Sequence, residues 1–151
     1  SWLISPTGKN FLLIILKLLE NKKNINVVND QIGCLTSTFS LSKIIWQLIK
    51  KNEKYSKLGE IFPTTFHWAE NGEITWYQLA SKIRDICKEL KIIENPSIIS
   101  PISTNEYPFK AKRPKYSVLN CKDTENILDV KRIKWEKSLK EIINEIFDTK
   151  L

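Results

Sequence analysis

The sequence predicts an α/β fold in which short strands alternate with helices. Apolar residues recur at helical spacing in several segments, the clearest being Leu41, Ile44, Ile45, Leu48 and Ile49. Between these segments lie short runs of Ile and Val that are bounded by polar and turn-forming residues, as strands are. The 151 residues, 42% of them hydrophobic and 27% charged, suffice for one domain with its own core.

The first half of the chain is predicted to contain two helices and one strand. Asn10 can cap a helix over residues 11–20, whose side chains are mostly apolar. Residues 25–28 form a predicted strand, after which the chain enters a polar loop. Ser40 is the predicted cap of the amphipathic helix that contains Leu41 and Ile44.

The second half is predicted to contain two strands and two helices. Residues 64–68 and 98–102 are the predicted strands, and a turn at Asn71 and Gly72 follows the first of them. Thr75 and Gln78 have the spacing of a capping box, and the helix after them has an apolar face of Leu79, Ile83, Ile86 and Leu90. Prolines between positions 101 and 114 exclude a regular helix there. A final helix presents one apolar face, formed by Leu139, Ile142, Ile143, Ile146 and Phe147.

Composition argues against several classes of function. A single histidine, three scattered cysteines and the lack of a C-x-x-C motif argue against a metal site. The odd number of thiols favours a reducing compartment, so we expect a cytoplasmic location. His67 is expected to pack within its predicted strand. No apolar run reaches the length of a membrane span, and we expect no membrane partner.

The formal charge of +7 would suit a nucleic-acid binder, whose affinity would fall steeply with salt. The lysines, however, are spread over helix ends and solvated helix faces, and no nucleic-acid motif is present. We therefore expect no nucleic-acid partner. An anionic small ligand would also suit a basic cleft.

The sequence lacks the usual motifs of dinucleotide chemistry. Its four glycines stand far apart, which excludes a G-x-G-x-x-G loop, and no tyrosine is followed four residues later by lysine. Methionine is absent as well. We therefore expect a processed product, a fragment or a cut chain that has no catalytic residue, no metal site and no cofactor site of its own.

The polar loop after residues 25–28 is the first candidate site. Asn29, Asp30 and Gln31 stand where the predicted strand ends, and Gly33 permits tight backbone geometry. Ligands of open α/β sheets lie beyond the carboxyl ends of the strands. Side chains of this kind also often satisfy loop amides, and the sequence alone leaves both roles open.

A basic loop is the second candidate site. Lys110, Lys112 and Arg113 lie between Pro108 and Pro114, where they could clamp a phosphate, Arg113 through a bidentate contact. A solvated basic loop is the commoner explanation of such a charge cluster.

Five motifs, taken in order, resemble one protein family. They are Ser1-Trp2, Gly8-Lys9-Asn10-Phe11, the stretch from Val27 to Thr36, Thr75-Trp76-Tyr77, and the stretch from Lys112 to Leu119. In this order and spacing they are similar to the C-terminal half of the dTDP-4-dehydrorhamnose reductases, which are extended short-chain dehydrogenases. The resemblance implies that residues 1–151 form a single C-terminal sugar-nucleotide-binding domain, including the last elements of a Rossmann-type sheet.

The resemblance also implies substrate-binding residues, each by its position in a motif. They are Trp2, Asn10, Asp30, Gln31, Gly33, Thr36 and Arg113. Trp2 matches a tryptophan near the sugar, whereas Asn10 and Arg113 match residues at the diphosphate. The others belong to an Asp-Gln-x-Gly turn and the threonine after it. Three residues depart from the family pattern, with Leu35 in place of proline, Thr75 in place of serine and Asn120 in place of aspartate.

Two functions are compatible with this resemblance. The first is the substrate-binding part of an NADPH-dependent reductase that forms dTDP-L-rhamnose, with a dTDP-sugar as ligand and a missing N-terminal Rossmann half as partner. That part is expected to be inactive alone and to bind no NADPH by itself. The alternative is a non-catalytic regulatory or scaffold module of the same fold. The apolar first helix, normally packed on a Rossmann sheet, could also promote self-association.

Overall fold

The computed structural model describes residues 1–21, 24–108 and 111–148. The helices are α1 (Phe11–Asn21), α2 (Thr38–Leu58), α3 (Trp76–Glu89), α4 (Lys122–Leu128) and α5 (Trp135–Asp148). The strands are β1 (Leu3–Ile4), β2 (Asn24–Val28), β3 (Ile32–Gly33), β4 (Thr36–Ser37), β5 (Ile74–Thr75) and β6 (Ile98–Ile102). A 3₁₀ turn at Thr104–Glu106 follows β6. Helices and strands are mixed along the chain, which confirms the α/β class.

The strands pair two by two. β2 and β6 run parallel over their whole length, from Asn24 opposite Ile98 to Val28 opposite Ile102. β1 pairs in parallel with β4, and β3 pairs antiparallel with β5. Because β2 and β6 are parallel, their carboxyl ends lie side by side, and the loops after them start from the same edge.

The main core lies between α1, α3, α5 and the β2–β6 pair. Alternate residues of the two strands, Ile25 and Ile99 among them, face it. The helices contribute fully buried side chains, which include Leu12, Leu79, Ile83, Leu139, Ile142 and Ile143. The apolar faces of α3 and α5 are therefore core faces, as their spacing predicts. Among the described residues, no helix is both long and apolar enough to cross a membrane.

Several elements confirm the sequence-based predictions. Asn10 Oδ1 accepts a hydrogen bond from Leu13 N at 3.3 Å and so caps α1. Thr75 and Gln78 form the predicted capping box, with hydrogen bonds of 2.8 and 3.1 Å. The strands predicted at residues 25–28 and 98–102 are both present.

The predicted cap of α2 is wrong. The helix begins at Thr38 and its cap is Ser37, whose hydroxyl accepts a hydrogen bond from Phe39 N at 3.1 Å. Ser37 belongs to β4, so its extended backbone suits a cap position, whereas Ser40 lies in the first helical turn. The predicted apolar stripe of α2 is only partly covered, since Ile45 is 47% exposed and Ile49 is 42% exposed.

The strand predicted at residues 64–68 is absent, since this segment is irregular. His67 is exposed, so the expected packing role is wrong, and its carbonyl accepts a hydrogen bond from Thr124 Oγ1 at 2.8 Å. This contact anchors the segment to α4, a helix that the sequence did not predict because it is short and lacks an apolar stripe. Leu90 is the C-cap of α3 and is partly exposed rather than a member of its apolar face.

Glu70 is a carboxyl group inside the protein, with 1% of its surface exposed. Its Oε1 accepts hydrogen bonds from Ser37 N at 3.1 Å and from Ser40 Oγ at 2.6 Å. Oε2 accepts no hydrogen bond of regular geometry from the described residues. Burial raises the pKa of Glu70, and the hydrogen bonds from Ser40 and Ser37 oppose this only in part.

Glu70→Gln should therefore change how stability depends on pH. A carboxyl whose pKa is raised by folding stabilises the fold while it is protonated, so this contribution is complete below the pKa of the unfolded chain. The contribution is lost as the pH rises through the folded pKa. The free energy of unfolding of Glu70→Gln, relative to the unmodified chain, should increase over this window by about 1.4 kcal/mol per unit of pKa difference.

Urea unfolding at a series of pH values measures this effect. Glu94→Gln makes the same change at an exposed position and serves as the matched control. Parallel profiles for Glu70→Gln and the unmodified chain would contradict the assignment.

Candidate functional site

The candidate site lies at the edge where β2 and β6 end. Asn29 N donates to Ile102 O at 2.9 Å, so the first residue after β2 continues the pairing with β6. Asp30 then follows β2, and Thr104 follows β6. Ligands of α/β proteins lie beyond the carboxyl ends of parallel strands, and these polar side chains occupy that position.

Thr104 joins two of the predicted binding residues. Its backbone N and its Oγ1 donate to Asp30 Oδ1 at 2.9 and 2.6 Å. Gln31 Nε2 donates to the same Oγ1 at 3.0 Å, and Gln31 itself is 6% exposed. Both side chains therefore hold the start of the 3₁₀ turn, which is the loop-stabilising role that the sequence left open.

Asp30 nevertheless stays exposed to solvent. The hydrogen bonds from the Thr104 side chain and backbone lower its pKa, and the charge of Lys115 lowers it further. Asp30 is consequently an ionised acceptor at neutral pH. Gln31, by contrast, is buried, and its side chain is held by the hydrogen bond to Thr104 Oγ1.

Residues 112–115, which we call the basic segment, run beside the loop that contains Asp30. Ile32 N donates to Lys115 O at 2.8 Å, and Ser117 N donates to Ile32 O at 2.9 Å. Tyr116 OH donates to Glu73 Oε1 at 2.8 Å, which raises the pKa of Tyr116. Arg113 is exposed two residues before Lys115. Phe109 and Lys110, which belong to the predicted basic loop, lie outside the described residues.

Trp2, Gly33 and Thr36 form a second group of predicted binding residues. Thr36 N donates to Trp2 O at 3.3 Å, and Thr36 Oγ1 donates to Trp68 O at 3.5 Å. The indole of Trp2 lies directly against Gly33, where a Cβ atom would stand 2.6 Å from Cζ2 and 2.7 Å from Nε1 of Trp2. Gly33 is thus required by this close approach, because any side chain would collide with the ring.

Asn10 is held within its own loop. Its Nδ2 donates to Ser5 O at 3.0 Å and to Thr7 O at 3.3 Å, while its Oδ1 caps α1. The next residue, Phe11, contacts Trp76 with ring centroids 4.6 Å apart. Trp76 in turn stacks on Trp2, which connects the start of α1 to the second group.

The sequence did not indicate how three residues shape the site. Thr104 organises Asp30 and Gln31, and Asn29 Oδ1 accepts a hydrogen bond from Thr75 Oγ1 at 2.7 Å. Trp76 packs against the main core and also stacks on Trp2, a predicted binding residue. Knowledge that residues 25–28 pair in parallel with residues 98–102 would have indicated Thr104, because it follows the second strand of that pair.

Metal-binding groups are not gathered anywhere in the described part of the chain. No set of three His, Cys, Asp or Glu side chains lies close enough there to hold an ion. Cys34, Cys87 and Cys121 are buried free thiols, and burial raises the pKa of Cys87 to about 11.

Comparison with known proteins gives consistent matches. A family model described as the RmlD substrate binding domain matches residues 1–147. The dTDP-4-dehydrorhamnose reductase of Aggregatibacter actinomycetemcomitans is 29% identical over 143 residues, which cover 94% of this chain and 47% of that protein.

Solved structures agree with the sequence matches. A dTDP-4-dehydrorhamnose reductase from Clostridium acetobutylicum has a TM-score of 0.81 at 29% identity, over 97% of this chain and 47% of that one. The reductase of Bacillus anthracis, solved in complex with NADP, has a TM-score of 0.77 at 27% identity, over 96% of this chain and 46% of that one. The chain therefore spans about half the length of the relatives it matches.

Gly33→Ala should destabilise the fold by about 1–3 kcal/mol, because the added methyl group overpacks the Trp2 indole. Urea unfolding would measure the loss. The cost should be smaller when it is introduced into Trp2→Leu, since the colliding ring is then gone. Equal costs in the two backgrounds would show that Trp2 is not the obstacle.

Thr104→Val should raise the pKa of Asp30, because it removes the strongest hydrogen bond to the carboxylate and keeps the side-chain shape. Carboxyl ¹³C shifts followed through an acid titration would measure this. Ser100→Ala, which removes a β6 hydroxyl that donates to Asn24 Oδ1 in β2, is the matched control. An unshifted Asp30 in Thr104→Val would refute the assigned contact.

Proposed function

The chain belongs to the RmlD substrate binding domain family, and from that premise we propose that it is the sugar-nucleotide-binding part of an NADPH-dependent dTDP-4-dehydrorhamnose reductase. The observation that carries the proposal is the edge beyond β2 and β6, where an ionised carboxylate and a basic segment lie side by side. A sugar nucleotide offers the matching chemistry, since it has hydroxyl donors and an anionic diphosphate.

Each half of this edge suits one part of such a ligand. Asp30 keeps an exposed carboxylate whose pKa is lowered, so it can accept hydrogen bonds from sugar hydroxyls. Arg113 lies on the exposed segment that leads into Lys115, and a guanidinium group suits bidentate binding of a phosphate. Trp2 and the start of α1 complete the proposed surface, with Asn10 ordering the loop in front of that helix.

Gln31, Gly33 and Thr36 would act on the ligand mainly by fixing the backbone. Gln31 holds Thr104, Gly33 admits the Trp2 ring, and Thr36 fixes the Trp2 carbonyl. We propose that these three residues shape the binding surface, whereas Trp2, Asp30 and Arg113 contact the sugar nucleotide.

NADPH would serve the intact enzyme, as the complex of the Bacillus anthracis relative with NADP suggests. The residues of this chain do not fit the cofactor, because they contain neither a glycine-rich dinucleotide loop nor a Tyr-x-x-x-Lys pair. Hydride transfer is therefore proposed for the whole enzyme, with an N-terminal dinucleotide-binding half as partner. The buried free thiols support a cytoplasmic location.

Arg113→Ala should weaken binding of dTDP by about ten- to a hundredfold, the range expected when a charge-assisted hydrogen bond to phosphate is lost. Calorimetric titration measures the affinity, and Lys57→Ala at the exposed end of α2 removes the same charge away from the proposed site. The proposal fails if dTDP binds neither to this chain alone nor to the chain joined to the dinucleotide-binding half of the Clostridium acetobutylicum relative.

A further inference from the structure

Three aromatic side chains stand in a row beside the candidate site. The Trp2 and Trp76 rings are stacked, with centroids 3.6 Å apart and an interplanar angle of 11°. Phe11 meets Trp76 at a centroid distance of 4.6 Å and a tilt of 51°. We call Phe11, Trp76 and Trp2 the aromatic row. Trp2 stands at one end of the row, and all three residues are half-buried.

The Trp2 indole is held by the residues around it, because the backbone of Trp2 does not by itself fix the position of the ring. Its φ of 40° lies in the left-handed region, which residues other than glycine adopt only where the surroundings impose it. The hydrogen bond from Thr36 N to Trp2 O fixes the main chain alone. The indole is held by its neighbours, with Trp76 against its face and Gly33 in close contact.

Trp76 is itself firmly placed. It is the first residue of α3, directly after the capping residue Thr75. The Thr75 hydroxyl accepts a hydrogen bond from Gln78 N and donates one to Asn29 Oδ1, and Thr75 pairs with Ile32. The position of Trp76 is therefore tied to α3 and to the loop that contains Asp30.

We infer that Trp76 is a positioning residue of the sugar-nucleotide site, which orients the Trp2 indole toward the ligand without touching the ligand itself. The inference rests on the proposed function, because Trp2 is the group that would meet the sugar nucleotide. Stacking of a nucleobase directly on Trp76 is disfavoured, since Trp2 and Phe11 already lie against its ring.

Trp76→Leu and Trp76→Phe test this role in the full chain. Loss of an aromatic stack corresponds to a weakening of dTDP-L-rhamnose affinity by about three- to tenfold, which we expect for Trp76→Leu by calorimetry. Trp76→Phe keeps a ring against Trp2 and should restore most of the affinity. Both variants should lose the exciton couplet that two stacked indoles give in circular dichroism. Trp46→Leu, at a tryptophan that is 64% exposed on α2, should change neither property.

A double-mutant cycle separates positioning from general support of the fold. In a Trp2→Leu background, Trp76→Leu should have no further effect on dTDP-L-rhamnose affinity, because its action passes through Trp2. An equal loss with and without Trp2, or unchanged affinity in folded Trp76→Leu, would overturn the inference. If Trp76→Leu does not fold, the same cycle with Trp76→Phe decides, with a smaller expected loss. Failure of the unmodified chain to bind dTDP, alone or joined to a dinucleotide-binding half, would overturn the proposed function and this role together.

Discussion

The parallel pairing of β2 with β6 is the constraint on which the candidate site depends. The two strands are far apart in sequence, with α2 and α3 between them, and only their register brings Asn29 to Ile102. The contact of Asp30 with Thr104 follows from that register, since Asp30 comes one residue after Asn29 and Thr104 two residues after Ile102. Pro101 within β6 is compatible with the arrangement, because among the described strands β6 pairs only with β2, and a proline can occupy such an edge.

Local signals in the sequence were sufficient for elements that are decided by neighbouring residues. Asn10 and the Thr75–Gln78 box each satisfy amides within one helical turn, so spacing alone identifies them. Distant contacts decided the elements that were missed. Ser37 and Ser40 are both good capping residues, and Ser37 is the cap because β4 pairs with β1 and Glu70 accepts its amide hydrogen. Residues 64–68 have suitable composition for a strand but pair with none of the described strands.

The candidate site shows the same division between residues that local signals locate and residues that distant contacts decide. Asp30 and Gln31 could be located from the end of a predicted strand, whereas their common partner Thr104 could not. The sequence posed ligand binding and loop stabilisation as alternatives for Asp30. In the structure one carboxylate oxygen holds Thr104 while the side chain stays exposed, so the loop contact orients the group that a ligand would meet. The two roles are compatible, because loop stabilisation orients the carboxylate that the proposed ligand would contact.

Two of the three departures from the family pattern, Leu35 and Thr75, also have a physical explanation in this arrangement. Leu35 replaces a residue that would stiffen the chain, yet the segment around it is fixed by β3 on one side and β4 on the other. Leu35 itself is fully buried in the main core and its carbonyl accepts Glu70 N at 2.8 Å. Thr75 keeps the one hydroxyl that a serine would offer, and that hydroxyl makes both required hydrogen bonds. Strand pairing and core packing therefore supply the rigidity here, and the substitutions leave the polar edge beyond β2 and β6 intact.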